Sequence, residues 1–215
     1  AAFRPNSARS RATQPLSVSY AVNDGQTDSA TQTITVEVQG VNDAPVIGGM
    51  GGTLNYTENA APTAIDGAVT VSDIDSANFN GGKLTVSFTA NGGAEDQLSI
   101  LNQGTGAGQI GVSGSNVTYG GVIIGTWSGG DNGNDLVIDF TNGNATAAAA
   151  QALIQQIAYA NSSDNPSTAD RTVSFSLYDG DTTVSLIGGS DTGTATATVH
   201  VTAVNDAPSV ADVTV

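Results

Sequence analysis

Oxygen donors are the one kind of reactive group this chain carries in quantity. It has 20 acidic residues against 5 basic ones, for a net charge of −15. Seventeen of the acids are aspartate, and only Glu37, Glu58 and Glu95 are glutamate. Aspartate favours turns and strand ends and coordinates calcium, whereas glutamate favours helix surfaces. The aspartates fall in short groups: Asp73 and Asp75 in SDIDS, Asp179 and Asp181 in YDGD, and Asp43 and Asp206 each following an asparagine in VNDAP. At such places they can shape turns or ligate a hard cation, and calcium is the cation their oxygens suit.

Other chemistry has little to work with. Cysteine is absent, which excludes disulfides, thiol nucleophiles and thiolate metal sites. The single histidine, His200, has no serine and acid at a spacing that would make a triad. Paired carboxylates could serve a glycosidase, but here the pairs sit at expected turns and junctions. The chain is therefore expected not to be an enzyme. An acidic surface excludes nucleic acid and anionic membranes as partners, both of which need basic patches. Direct membrane insertion is not expected either: the longest apolar stretch, residues 121–127, is strand-sized. With no signal peptide or lipidation motif, the sequence reads as a segment of a longer secreted polypeptide.

The elements that must position the acids are mostly strands. Apolar residues alternate with polar ones at Ile34, Val36 and Val38, at Val69 and Val71, and at Leu84, Val86 and Phe88. They do so again at Leu136, Ile138 and Phe140, at Val173, Phe175 and Leu177, and at Ala197, Val199 and Val201. Asn-Gly, Gly-Gly and Asp-Gly turn signals separate these runs, as in a β-sandwich. Residues 145–158 differ, with Ala149, Leu153 and Ile157 at four-residue steps. That spacing predicts one embedded helix, capped by Asn144 or Thr146. GGDNGNDLV, residues 129–137, reads as a hairpin turn. DIDSANFNGG, residues 73–82, lacks the spacing and closing glutamate of an EF-hand loop.

An internal repeat organises the chain. TQTITVEVQGVNDAP at 31–45 and TATATVHVTAVNDAP at 194–208 share ten of fifteen positions, and VSYAVNDG at 18–25 echoes VSFSLYDG at 173–180. Residues 17–40 are thus expected to be the last strands of a preceding module, after a leader or flexible segment at 1–16. A linker at 41–47, a complete module at 48–203 and a linker to the next module at 204–215 follow. Units of this kind stack into a quasi-one-dimensional array.

VNDAP at a module end, TENAAP at 57–62, SDIDS at 72–76 and YDGD at 178–181 fall in the order of the cadherin-type calcium signature. In this the chain resembles the cadherin-like tandem repeats of giant calcium-dependent bacterial surface adhesins. The resemblance implies a mostly β, Greek-key-like sandwich with one embedded short helix. It implies calcium as the cofactor and neighbouring modules of the same polypeptide as the partners. By position, Asn42 and Asp43 would share ions with Asp73, Asp75 and Asp179, while Glu58 would face Asn205, Asp206 and a following module. No single loop here supplies the six to eight oxygens calcium takes, but a junction can draw on both sides. VNDAP is shorter than the acidic linker of animal cadherins, which implies fewer ions per junction. Residues 91–140 resemble no part of the family's pattern and read as an insertion. The function this implies is a secreted, cell-surface extender module supporting adhesion or biofilm formation. The alternative is a module binding polysaccharide or another cell-surface ligand, for which Trp127, Tyr119 and Tyr56 are the aromatics that could stack on sugar rings.

Overall fold

The computed structural model describes residues 14–38, 41–181 and 190–207. Most of the expected leader, and the closing linker from Pro208 onward, lie outside the described residues. The strands are β1 (Gln14–Tyr20), β2 (Gln32–Val38), β3 (Val46–Gly48), β4 (Thr53–Thr57), β5 (Thr63–Ala64), β6 (Thr70–Ser72), β7 (Lys83–Ala90) and β8 (Asp96–Ile100). They continue with β9 (Ile110–Ser113), β10 (Asn116–Tyr119), β11 (Val122–Gly129) and β12 (Leu136–Phe140). After helix α1 (Ala147–Ile154) come β13 (Ile157–Asn161), β14 (Arg171–Tyr178) and β15 (Thr192–Thr202). β1 opens at Gln14, inside the stretch expected as leader.

The fold is a mostly β sandwich with one short helix, as expected. One sheet has eight strands in the order β4-β15-β14-β7-β12-β11-β10-β9. The facing side is built from β5-β13-β8, the pair β3-β6 and α1, while β1 and β2 form a separate hairpin. Alternation turns Leu84, Val86, Leu136, Ile138, Val173, Phe175, Leu177, Val199 and Val201 inward from the large sheet, and all are buried. Val69, Leu98, Tyr159, Leu153 and Ile154 close the same core. β4 runs parallel to β15, from Thr53 opposite Thr198 to Thr57 opposite Thr202, so both strands finish at the same end of the sandwich.

The helix is shorter than its spacing predicts. Thr146 caps it by accepting the Ala149 N–H at 3.3 Å. Ile157 is not on its apolar stripe but opens β13, opposite Ile100. A charge-free helix of two turns has little stability of its own, and β8 offers residues 157–161 a full ladder instead. Two helix-side amides hold the neighbouring strand: Gln155 Nε2 donates to the Val69 carbonyl at 2.7 Å, and Gln151 Oε1 accepts the Val71 N–H at 3.1 Å. They fix β6 and hence the segment that follows it, Asp73–Asp75.

The stretch read as an insertion supplies β8 and enlarges the main sheet through β9–β12. Its outer strand β9 would expose a backbone edge. The Asn102 side chain closes that edge by bonding both the N–H and the carbonyl of Val112, each at 3.3 Å. Gln103 does the same for Ile110, accepting its N–H through Oε1 at 3.0 Å and donating its own N–H to the carbonyl at 2.8 Å. GGDNGNDLV is the β11–β12 turn, with Asn132 and Gly133 at positive φ.

One buried ion pair crosses the two layers. Arg171 Nε donates to Asp96 Oδ1 at 3.2 Å, with both side chains fully buried. Asp96 also accepts from Asn161 Nδ2 and the Gly93 N–H, each at 2.8 Å, and from the Tyr159 hydroxyl. Burial, and then the bond to Asp96, push the Tyr159 phenol well above its ordinary value. Arg171 Nη1 donates to the carbonyls of Ser167 and Ala169. Taking one partner from a buried pair strands the other charge at a cost of about 3–5 kcal/mol. Arg171→Leu is therefore expected to lower unfolding free energy by about that amount in urea melts. A loss within the ~0.5 kcal/mol typical of surface substitutions would contradict this account of the pair.

Candidate metal centre

The sandwich gathers five of the eight expected ligands at one end. β6 leads into Asp73 and Asp75, Asp179 directly follows β14, and the linker before β3 carries Asn42 and Asp43. Asp73 Oδ1 accepts the N–H groups of Asp75 (3.0 Å) and Ser76 (2.7 Å), which curls the segment into an Asx turn. Asp75 Oδ2 accepts the Asp43 N–H at 3.2 Å. Asn42 Nδ2 donates to Asp179 Oδ2 at 2.7 Å and to the Ser190 carbonyl at 2.9 Å, while the Ser190 N–H returns a bond to the Asn42 carbonyl at 3.2 Å. Asp179 Oδ1 accepts the Asp181 N–H at 2.8 Å. Gly193 completes the seat: a Cβ there would stand 1.8 Å from the Pro45 carbonyl oxygen, so only glycine lets the linker lie against the start of β15.

These contacts leave negative charge uncompensated. Asp73 Oδ2 and Asp75 Oδ1 are buried from solvent without a hydrogen-bond partner. Burial, then contact with the Asp73 carboxylate, raises the Asp75 pKa to about 6, with the charges of Asp73 and Asp43 adding to the effect. Asp179 is also raised, first by burial and then by the charges of Asp73 and Asp181, against the lowering effect of the Asn42 and Asp181 N–H donors. The Tyr178 phenol is pushed up by burial and by Asp191, Asp179 and Asp181 around it. Among the described residues, no three carboxylates or imidazoles already converge as a closed metal cage. The acids stand instead as a touching Asp73–Asp75 pair, with Asp179 across the Asn42 side chain. Carboxylate oxygens desolvated side by side call for a proton or a cation. The donor set is all oxygen, apart from the amide nitrogen of Asn42, and so fits calcium better than softer metals.

The other three expected ligands lie at the opposite end. The eleven-residue β15 separates the ends by roughly 35 Å. Glu58 is 4% exposed; its Oε2 accepts the Val204 N–H at 2.7 Å, and its Oε1 is buried without a partner. Asn205 and Asp206 are exposed, and Asn205 Nδ2 reaches only the neighbouring Asp206 carbonyl at 3.3 Å. The structure thus brings Glu58 beside the closing linker without assembling it with Asn205 and Asp206. Ser190 and Asp191 were not among the expected residues, and no motif marks them. The remaining candidates have other roles. Asp24, the counterpart of Asp179, closes its own turn by accepting the Gln26 and Thr27 N–H groups, which hold its carboxyl below the ordinary value. His200 pairs with Asp170 at 2.7 Å on the surface. Tyr56 is core, packed edge-on against Tyr159.

Together these features define a sandwich with an acid-rich seat at one end, taken up by the 41–45 segment, and a buried, half-partnered Glu58 at the other. No family model matches the chain, and no curated protein matches it.

The raised Asp75 value sets a pH dependence. Its folded pKa, about 6, lies above the unfolded value of about 3.9, so the metal-free folded state holds the proton more tightly. Stability in chelator is expected to rise as pH falls from about 7.5 to about 5, and Asp75→Asn to flatten that rise. Urea melts at both pH values check this; stability that falls over the same interval in the unaltered chain contradicts it.

Proposed function

We propose that the chain is a non-catalytic extender module of a secreted, cadherin-like surface adhesin, rigidified by calcium where its linker meets the sandwich. The observation that carries this reading is the different state of the two VNDAP copies. At 41–45, with a sandwich following, Asn42 and Asp43 are bonded to Asp179 and Asp75 and Pro45 is buried. At the other end, Asn205 and Asp206 are exposed beside a Glu58 whose buried oxygen lacks a partner. The same residues dock where a module follows and stand ready where the next one would. The partners are then the neighbouring modules of the same polypeptide.

Calcium at the first seat would be held by Asp73, Asp75 and Asp179 with Asn42 and Asp43 of the linker, and Glu58, Asn205 and Asp206 would serve the next junction. Its chemistry there is charge neutralisation. It would replace the proton that the Asp73–Asp75 pair otherwise favours and remove the hinge between linker and sandwich. Cell-surface localisation follows from the same reading, because extracellular calcium is millimolar and such modules bind at about 10⁻⁴–10⁻³ M. No helix among the described residues is long and apolar enough to cross a membrane. The polysaccharide alternative has less support: Tyr56 is buried, and Trp127 and Tyr119 pack against the core.

A ligand that binds only the folded state stabilises it by mass action. At about 10 mM calcium and the affinities above, the gain is about 1.4–2.7 kcal/mol. A calcium-dependent rise in melting temperature of several degrees is expected, and the Asp73→Asn/Asp75→Asn double variant should lose most of it. Equal melting temperatures in calcium and chelator would sink the proposal.

A further inference from the structure

The β1–β2 hairpin repeats the pairing register of β14–β15. Val18 pairs with Ile34 and Tyr20 with Gln32, as Val173 pairs with Ala197 and Phe175 with Ala195. The internal repeat makes these the same positions. In the sandwich that face is core: Val173, Phe175, Leu177 and Val199 are fully buried and Ala197 nearly so. On the hairpin the equivalent face, Leu16, Val18, Tyr20, Val22, Ile34 and Val36, is 43–67% exposed. An isolated two-stranded ribbon is marginal in water, and a continuous apolar row of this kind marks a surface built to be covered.

The chain itself says what covers it. In the complete module the strands facing β14–β15, and those beside them, all precede that pair in sequence. Residues 1–13 cannot take this part, since they hold three arginines and one large apolar residue, Phe3. The far edge strand, β9, offers the hairpin of another copy no ladder to join, because Asn102 and Gln103 occupy its outward groups. Two positions differ in kind. Gln32 stands where the sandwich has the half-buried Ala195. Leu16 pairs with Val36 where Arg171 pairs with Val199, and Arg171 is the partner of the buried Asp96. A layer carrying aspartate at that place would leave it buried and unpaired against Leu16.

Resting on the tandem-module reading above, we infer that the apolar face of β1–β2 docks a second sandwich layer of the same design. Polypeptide on the N-terminal side of the hairpin supplies that layer, and it carries an apolar residue where this module has Asp96. The Asp96–Arg171 pair then also acts as a strand-identity device. It makes β14–β15 the right hairpin for its own sandwich and β1–β2 the wrong one, which guards against swapping between neighbouring repeats.

Extended chains test this. A second copy of residues 46–170 is placed ahead of Leu16, replacing residues 1–15, in three forms: unaltered, with Leu16→Arg, or with Asp96→Leu in the added copy. Amide hydrogen exchange of residues 16–20 and 32–37 is read in each, with the downstream sandwich as internal control. The two matched forms are expected to slow exchange about a hundredfold relative to the unextended chain, and the mismatched form much less. Fast exchange in all three overturns the docking. Equal slowing in all three overturns the apolar partner for Leu16. Slow exchange in the unextended chain, with a dimer mass by light scattering, makes a second copy the occupant and overturns the upstream layer. Calcium-dependent melting is read separately on the unextended chain, so failure of the calcium reading and failure of this inference are distinguishable.

Discussion

Negative charge without a counter-charge is the constraint around which one end of this molecule is organised. Asp73 and Asp75 are held in contact by an Asx turn, with one oxygen of each shut off from solvent and unpartnered. Two such groups cannot both stay ionised there cheaply, which is why Asp75 is pushed toward neutrality. The linker answers this only in part. Its contributions are the Asp43 N–H to Asp75 and the Asn42 amide to Asp179, both neutral donors. The rest of the sandwich keeps the acids in place: α1 bonds β6 through two glutamine amides, and Gly193 leaves room for the Pro45 carbonyl. A cation is the remaining element that would turn this strained arrangement into a joint.

The same economy recurs elsewhere. Side-chain amides stand in for missing backbone partners in two places, Gln151 and Gln155 beside β6 and Asn102 and Gln103 against β9. A chain poor in charged side chains closes its edges with neutral ones. The one buried ion pair among the described residues, Asp96–Arg171, stands apart from both ends. It ties β8 to β14 across the core, and Leu16 stands at the matching position of the β1–β2 hairpin.

Much of this was legible in the sequence, and the exceptions have physical causes. Period-two alternation marked the core strands, because inward side chains on a half-buried sheet must be apolar. The helix end was misplaced because Ile157 fits a four-residue step and a strand equally well; pairing with Ile100 decided it. The Asp96–Arg171 pair was overlooked, although Arg171 occupies an inward position in the Arg171, Val173, Phe175, Leu177 row, a signal that a buried acid must be near. At the candidate site the motifs named Asn42, Asp43, Asp73, Asp75 and Asp179, which the fold brings together. Ser190 and Asp191 were missed because only the path of the chain, not its composition, places them there. The exposure of Ile34 and Val36 was equally invisible to alternation, which shows that a face is apolar but not what lies against it.

The most direct test of the central claim is a calcium titration followed residue by residue by two-dimensional NMR of the amide groups. Binding at the linker–sandwich junction predicts saturable shifts at Asp43, Asp75, Ser76 and Asp181, with a midpoint of about 0.1–1 mM and little change at Asp131, Asn132 and Asp135 of the β11–β12 turn. Shifts spread evenly over every acidic turn, or none at Asp43 and Asp75, would show that these carboxylates are turn residues and that the junction is not a metal site.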